Sequence, residues 1–186
     1  RFPDSCQSSL TFSIPINIIC LYSISVELTL EEIDMSEFDV FKGLSKGDIN
    51  RVIDLGMIRP VDKGTLLFKK GDIGHEMYVL LKGKIDIIDE YGTHKKILAE
   101  LNPGEIFGEM AMFEKHQRSA HALVKEPSQV LVLSEETLKK MLEKKIPKGF
   151  LTNIIAVLCR RLRLTNMMYM RAKYGESYPK EVEWLG

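Results

Sequence analysis

Residues 107–120 read FGEMAMFEKHQRSA, with Gly108-Glu109 near one end and Arg118-Ser119 near the other. The residues between them are mostly small or apolar. A β-strand would alternate polar and apolar residues over this length, and a surface loop would be more polar. Because the stretch sets one acidic and one basic side chain nine residues apart among small residues, we interpret it as part of a binding site.

The sequence on both sides of this stretch predicts a compact β-structure. Between residues 58 and 133, runs rich in Val, Ile, Leu and Tyr are separated by turn signals such as KGDIG, DEYGTH, LNPGE and KEPSQ. A turn roughly every 8 to 12 residues is typical of a β-sandwich or barrel. Two apolar runs around residues 91–93 predict a hairpin, and Pro103-Gly104 suits the centre of a type II turn.

Helical patterns precede the β-region. From residue 35 to residue 57 the apolar residues recur at three- and four-residue spacing. The pattern predicts two short helices broken at Gly43 and Gly47, with Ser45 as the N-cap of the second.

Two further helices are predicted after the β-region. Ser134 suits an N-cap, since Glu135 and Glu136 place negative charge in the first turn. The sequence IPKG at 146–149 separates this helix from a longer one at about 150–169. A spacing close to 3.5 on the long helix favours pairing with a second helix. The residues at that spacing are Leu151, Ile154, Leu158, Arg161 or Leu162, Thr165 and Met168.

The whole pattern resembles a known family. The segments KGTLLFKKGDIGHEMYVLLKGKIDII at 63–88 and FGEMAMFEKHQRSA at 107–120 resemble the cyclic nucleotide-binding domain. That domain is shared by the catabolite activator protein family, protein kinase A regulatory subunits and nucleotide-gated channels. The resemblance covers about residues 36–170, and its most specific part is Gly-Glu with Arg nine residues after the Glu.

The resemblance implies an α+β, mainly β fold for residues 35–170. A small jelly-roll β-barrel at 58–133 is expected between N-terminal helices and a C-terminal pair of helices at 135–170, the last one long. Residues 1–34 are expected to be an extension and residues 171–186 a tail.

The motif has a physical interpretation of its own. A helical turn that begins at Glu109 leaves backbone N–H groups without intrachain acceptors, and such a terminus favours an anion. We expect Arg118 to begin a strand in which Ala120 and Ala122 leave a cavity beside it. The donor fork of Arg118 suits a phosphodiester, and the Ser119 hydroxyl can add a hydrogen bond. Glu109 would repel a phosphate, and the resemblance implies that it accepts from a ribose hydroxyl.

The resemblance also implies a contact from the long helix. The run RRLRLTNMMY at 160–169 is similar to one that sets a Thr hydroxyl against the adenine amino group in the catabolite activator branch. Thr165 is the matching residue, and its neighbour Asn166 would suit guanine as well. Ser119 favours cyclic AMP, because some guanine-selective relatives carry Thr there. The predicted ligand-binding residues are Phe107, Gly108, Glu109, Met110, Ala111, Arg118, Ser119, Ala120, Arg161, Thr165 and Asn166.

Two alternatives stay open at this point. Glu109 and Arg118 could pair with each other inside a closed barrel, although buried ion pairs add little net stability. The chain could also be a jelly-roll metal enzyme, but its histidines lack the His-x-His spacing of such a site. They are His75, His94, His116 and His121. Since catalytic nucleophile and dinucleotide motifs are also missing from the sequence, we expect neither an enzyme nor a metal or other cofactor.

Composition sets broader limits. The 186 residues carry 26 basic and 26 acidic side chains, so general attraction to nucleic acid or acidic lipid is not expected. Three widely spaced cysteines argue against a disulfide framework and favour a cytoplasmic location. Residues 139–173 hold ten basic side chains and one acidic one, which a solvated helix face, an acidic partner or nucleic acid would explain.

The two ends of the sequence argue against a membrane segment and against direct DNA binding. The apolar run LTFSIPINIICLYSISV at 10–26 is diluted by Pro15, Asn17 and several hydroxyl residues, so a membrane segment is disfavoured. Residues 171–186 are too few for the helix-turn-helix module of the catabolite activator branch, so we expect no direct DNA binding.

These features together predict a cytoplasmic cyclic nucleotide sensor. Its ligand would be cyclic AMP, or else cyclic GMP, and binding would reposition the long C-terminal helix, which also forms a homodimer. The sequence does not name the downstream protein partner. The competing hypothesis is a ligand-free interaction or dimerisation module with the same fold.

Overall fold

The computed structural model describes residues 33–91, 94–143 and 148–175. The extension predicted at 1–34 lies outside these residues except for its last two. The apolar run at 10–26, part of the predicted hairpin turn and of the predicted helix break, and most of the tail also lie outside them. Within the described ranges no helix is long and apolar enough to cross a membrane.

Helices and strands follow one another in the predicted order. A single 3-10 turn at Met35–Glu37 comes first. The helices are α1 (Lys46–Leu55), α2 (Glu109–Glu114), α3 (Glu135–Glu143) and α4 (Lys148–Tyr174). The strands are β1 (Met57–Val61), β2 (Leu66–Phe68), β3 (Glu76–Tyr91), β4 (His94–Leu101), β5 (Ile106–Phe107) and β6 (His121–Ser134).

One antiparallel sheet forms the centre of the fold. The strand order is β1-β6-β3-β4, with β2 paired to β6 and β5 paired to β3. Strands β3 and β6 are 16 and 14 residues long, and their pairing shifts register between Leu80 and Ile85. Such irregularities bend long strands and let the sheet curve around a core.

The predicted fold class, a mainly β jelly roll between helices, is confirmed, although the described sheet is not a closed barrel. In the described strands the hydrogen-bonded path ends at β1 on one side and at β4 on the other. A barrel would need these two strands to pair, but β1 pairs with β6 and β4 with β3. The described sheet is therefore not closed on itself.

The core follows from the alternation of apolar residues along the strands. Tyr78 and Leu80 on β3 and Val130 and Val132 on β6 are buried in one hydrophobic cluster. Residues two apart share a face of a strand, so each pair points to the same side of the sheet. Burying each such side chain contributes about 1.5–3 kcal/mol before the opposing entropy of ordering the chain.

Local capping signals were predicted well. Ser45 accepts from the N–H of Asp48 at 3.2 Å and caps α1, and Ser134 accepts from the N–H of Thr137 at 3.1 Å and caps α3. Gly43 has φ of 74° and precedes α1 as expected. The break predicted at Gly47 is wrong, because Gly47 is the second residue of α1, where an N–H needs no acceptor within the helix.

The turn before β5 also has the predicted geometry. Gly104 has φ of 91°, and the N–H of Glu105 donates to the carbonyl of Asn102 at 3.1 Å. These are the features of a type II turn with Pro103 and Gly104 at its centre.

Helix α4 is longer than the sequence pattern predicted. It continues five residues past Tyr169, since no Gly or Pro interrupts it before Gly175, whose φ is 71°. Its first turns are fixed to the N-terminal segment: Phe150 stacks on Phe41 at 5.9 Å, and Asn153 donates to the carbonyl of Val40 at 3.1 Å.

Several residues of the predicted helix-pairing seam on α4 face their own domain, since Arg161, Thr165 and Met168 line the cavity described below. Ile154 is 2% exposed and packs inside its own domain, so it is not available to a second helix. Leu162 and Met168, further along the same helix, are 62% and 71% exposed.

Candidate ligand-binding site

A cavity of about 350 Å³ lies where α2, α4 and the sheet meet. This volume falls within the roughly 300–1,000 Å³ of small-molecule sites. Ten of the eleven predicted binding residues line it, and Asn166 is the one that does not. The lining residues missed by the sequence analysis are Phe68, Ile87, Ala99, Leu101, Glu105, Leu164 and Met168.

The predicted helical turn at Glu109 is confirmed as α2. Gly108 precedes this helix in the left-handed conformation, with φ of 73°. A Cβ on Gly108 would also lie 2.6 Å from Nη1 of Arg118. Glycine is therefore required at 108 both by its backbone conformation and by the closeness of the Arg118 guanidinium.

Arg118 is a buried cation, 5% exposed. Its Nη1 donates to the carbonyl of Glu76 at 2.8 Å and to that of Gly108 at 2.6 Å. Across the described part of the chain its Nε has no hydrogen-bond partner, and no carboxylate lies within ion-pair distance of it. Burial lowers the pKa of the guanidinium, because a charge removed from water is disfavoured.

The prediction that Arg118 begins a strand is wrong. Strand β6 begins at His121, and Arg118 lies in the connection before it. Its backbone N–H donates to the carbonyl of Asp72 at 2.8 Å, and its carbonyl accepts from Gly71 at 2.9 Å. These two bonds fasten it to the loop before β3, a long-range pairing that the local sequence pattern does not reveal.

Glu109 pairs with a residue of α4 and not with Arg118. Its Oε1 lies 3.2 Å from Nη1 of Arg161, and Glu109 is 5% exposed. Arg161 also donates through Nη2 to the carbonyl of Ile106 at 2.5 Å. The alternative of a Glu109–Arg118 pair is therefore not what the structure contains.

One face of α4 forms a wall of the cavity. Arg161, Leu164, Thr165 and Met168 follow the i, i+3, i+4, i+7 spacing of a helix face. Asn166 falls off this face for the same reason. The Thr165 hydroxyl donates to the carbonyl of Arg161 at 2.9 Å, so its oxygen lone pairs remain available as acceptors.

Some of the lining residues that were not predicted had a local sequence signal, whereas others reach the cavity only through strand pairing. Leu164 and Met168 were detectable, since they share a helix face with Arg161 and Thr165. Ile87 and Leu101 reach the cavity through the pairing of β3 with β4. That register depends on an irregularity after Ile87, which no local feature of the sequence predicts.

Comparison with known proteins identifies the family of the central segment. Residues 58–145 match the family model described as "Cyclic nucleotide-binding domain". This segment belongs to the cyclic nucleotide-binding domain family.

Relatives of this domain occur in different kinds of protein. The chain is 31% identical over 125 residues to the "Cyclic AMP receptor protein" of Thermus thermophilus, which covers 67% of this chain and 57% of the relative. It is 28% identical over 104 residues to human "cGMP-dependent protein kinase 2", covering 54% of this chain and 14% of the kinase. The similarity therefore spans less than two thirds of either relative.

A solved structure shares the fold. The crystal structure of Thermus thermophilus catabolite activator protein aligns with a TM-score of 0.67 at 28% identity. The alignment covers 73% of this chain and 63% of that one.

Among the described residues, no group of three His, Cys, Asp or Glu side chains comes together as a metal site would require. The polar groups of the cavity are instead arranged as donors and acceptors, which suits ligand recognition.

Proposed function

We propose that the cavity binds a cyclic nucleotide, with cyclic AMP preferred over cyclic GMP, and that the ligand acts on helix α4. The observation that carries this proposal is the buried guanidinium of Arg118, which has no carboxylate within ion-pair distance among the described residues. A buried charge is costly unless it is paired. A ligand with a negative phosphodiester supplies the missing charge, and membership of the family supports this class of ligand.

The phosphate is assigned to the end of the cavity around α2. Arg118 and Ser119 both line the cavity, as do the first residues of α2. The backbone N–H groups of a first helical turn have no acceptor within the helix, so they add donors for phosphate oxygens. The negative carboxylate of Glu109 belongs to another part of the ligand.

The ribose is assigned to Glu109. A carboxylate accepts several hydrogen bonds, so Glu109 can keep its pairing with Arg161 and also accept from a ribose hydroxyl. A ligand bound in this way contacts α2 directly and α4 through Arg161.

The base is assigned to the α4 wall. Leu164 and Met168 offer apolar surface to a purine, and Thr165 lies between them in sequence. Because the Thr165 hydroxyl already donates to a backbone carbonyl, it meets the base as an acceptor. Adenine presents an amino donor at position 6, whereas guanine presents an oxygen there, so this acceptor favours cyclic AMP.

The proposed coupling is supported by the fact that one helix carries both the base wall and Arg161. A ligand can shift α4 only if its contacts differ between two positions of that helix, and contacts to the base wall and to Arg161 would provide such a difference. We further propose a homodimer, through a seam shifted from the predicted one because Ile154 is buried. The shifted seam consists of Ile155, Leu162 and Tyr169, which are seven residues apart on α4 and 60%, 62% and 61% exposed.

The decisive experiment is calorimetric titration of the chain with cyclic AMP and cyclic GMP. Saturable binding of one ligand per chain, tighter for cyclic AMP, is expected. Absence of binding at millimolar nucleotide would instead favour the competing hypothesis of a ligand-free interaction module.

A further inference from the structure

The guanidinium of Arg118 is enclosed by an aromatic ring and a glycine. Its Cζ lies 4.2 Å from the centroid of the Phe68 ring. A Cβ on Gly74 would lie 2.5 Å from Cζ and 2.4 Å from Nε, so the guanidinium packs against bare backbone there. The ring and the glycine leave the guanidinium little freedom to move.

Phe68 is itself held by two other rings. Its centroid lies 5.9 Å from that of Tyr78 and 6.1 Å from that of Phe107. Those two rings stack on each other at 5.0 Å. The Tyr78 hydroxyl donates to Oε2 of Glu76 at 2.8 Å, which fixes the far end of the cluster. Phe68 therefore cannot swing away from Arg118 without breaking aromatic contacts.

The ring has an electrostatic role as well as a packing one. In the described residues Arg118 has backbone carbonyls as hydrogen-bond partners and no carboxylate. The negative face of an aromatic ring attracts a cation, and more strongly when the cation is shielded from water. The charges of Asp72, Glu76 and Glu109 also act on Arg118 from beyond ion-pair distance, and the Tyr78 ring centroid lies 5.7 Å from Cζ. Phe68, at 4.2 Å, adds to this stabilisation without neutralising the charge.

On this basis we infer that Phe68 is a positioning residue for Arg118, which it holds charged and in place for an anionic ligand. The inference rests on the proposed function. The inference goes beyond that function because it assigns part of the ligand affinity to an aromatic residue of β2. Nη1 donates to the carbonyl of Gly108, which lines the cavity, so the guanidinium that Phe68 covers lies at the cavity wall.

The test compares Phe68→Leu, which fills similar space without a ring face, with Phe68→Tyr, which keeps the ring. Binding of cyclic AMP and of adenosine, which lacks the phosphate, is measured by calorimetry on the full chain, with thermal unfolding as the folding control. Phe68→Leu should weaken cyclic AMP binding by roughly 5-fold to 30-fold, from the strength of a shielded cation–π contact. Phe68→Tyr should bind nearly as the original protein does, and adenosine should bind all three proteins alike.

Three results would overturn the inference. They are unchanged or tighter cyclic AMP binding by Phe68→Leu, an equal loss for adenosine, which would make Phe68 a simple cavity wall, and failure of Phe68→Tyr to restore affinity. If Phe68→Leu does not unfold cooperatively, Phe68→Met serves as the second ringless variant. Arg118→Ala distinguishes failure of the Phe68 inference from failure of the proposed function, because unchanged cyclic AMP binding in that variant would refute the proposed function itself.

Discussion

Arg161 on helix α4 is paired with Glu109 at the start of helix α2, with 3.2 Å between Nη1 and Oε1. The two residues are 52 positions apart in sequence, and both line the cavity. The helix that ends the described fold is therefore tied directly to the helix that forms the proposed phosphate end of the site. Under the proposed function, a ligand that contacts Glu109 would act on α4 through this pair.

Removing Arg161 should weaken both the fold and the site. Arg161→Ala leaves the buried carboxylate of Glu109 without its cation, and we expect the free energy of unfolding to fall by about 1–2 kcal/mol, discounted because Arg161 is partly exposed. Cyclic nucleotide affinity should fall several-fold in the same variant. Arg160→Ala is the matched control, since Arg160 pairs with Asp39 away from the cavity. Chemical denaturation and calorimetry check both effects, and equal behaviour of the two variants would contradict the coupling.

Arg118→Ala should lower cyclic AMP affinity by at least about tenfold, because a charged hydrogen-bonding partner contributes about 1.5–3 kcal/mol. The thermal stability of the unliganded protein should change little, since the cost of burying the cation disappears with the cation. Arg59→Ala is a suitable control: Arg59 lies 5.8 Å from the Tyr78 ring but does not line the cavity. Unchanged affinity in Arg118→Ala would remove the basis for the phosphate assignment.

Local features of the sequence were predictable, and long-range choices were not. The caps Ser45 and Ser134 and the turn at Gly104 depend on a few neighbouring residues, so their signals are complete in the sequence. The partner of Glu109 is different, because Arg118 and Arg161 are both chemically suitable. Only the packing of α4 across the cavity decides between them.

The cavity wall shows the same division between local and long-range information. The spacing of Glu109 and Arg118 identified the site, yet Phe68, which packs against the guanidinium, lies 50 residues before Arg118. Its position depends on the pairing of β2 with β6, where the register is irregular. Whether the sheet closes was not predictable for a related reason. The turn pattern predicts how many strands form but not whether the strands at the two ends of the sheet pair with each other.

Glu100 on the outer side of the sheet should give the fold an acid-sensitive component. It forms ion pairs with Lys125 and Lys84, and its hydrogen bond with Lys125, followed by that with Lys84, lowers the pKa of its carboxyl. A carboxyl whose pKa is lower in the folded state stabilises the fold above its ordinary pKa of about 4.3, and this contribution is lost as pH falls further. The stability advantage over Glu100→Gln should therefore be full above about pH 5 and shrink in more acidic solution.

Urea denaturation of both proteins between pH 3 and pH 7 measures that difference. The three side chains are partly exposed, so molar salt should reduce the advantage at neutral pH as well. A difference that stays constant across the pH range would show that the network does not contribute through the charge of Glu100.

Leu162→Asp should convert the proposed dimer to a monomer. Leu162 is 62% exposed and lies midway between Ile155 and Tyr169, so a carboxylate there would be buried unpaired at the seam. Leu98→Asp is the control, because Leu98 has a similar exposure of 53% but belongs to β4. Sedimentation velocity at micromolar concentration, with and without cyclic AMP, distinguishes the species. A monomeric original protein under both conditions would contradict the proposed dimer.

Thr165→Ala should reduce affinity for cyclic AMP more than for cyclic GMP. The hydroxyl of Thr165 donates to the carbonyl of Arg161, so in this arrangement it acts as an acceptor toward the base. Adenine offers an amino donor for that acceptor, and losing one such hydrogen bond costs about 0.5–1.5 kcal/mol, or roughly 2-fold to 12-fold in affinity. Thr165→Ser keeps the hydroxyl and should retain the preference, while Asn166→Ala, outside the cavity lining, should leave both affinities unchanged. Competition calorimetry with the two nucleotides measures the ratio directly. Equal losses for both nucleotides would mean that α4 does not read the base, and a selective loss in Asn166→Ala would move that role one residue along the helix.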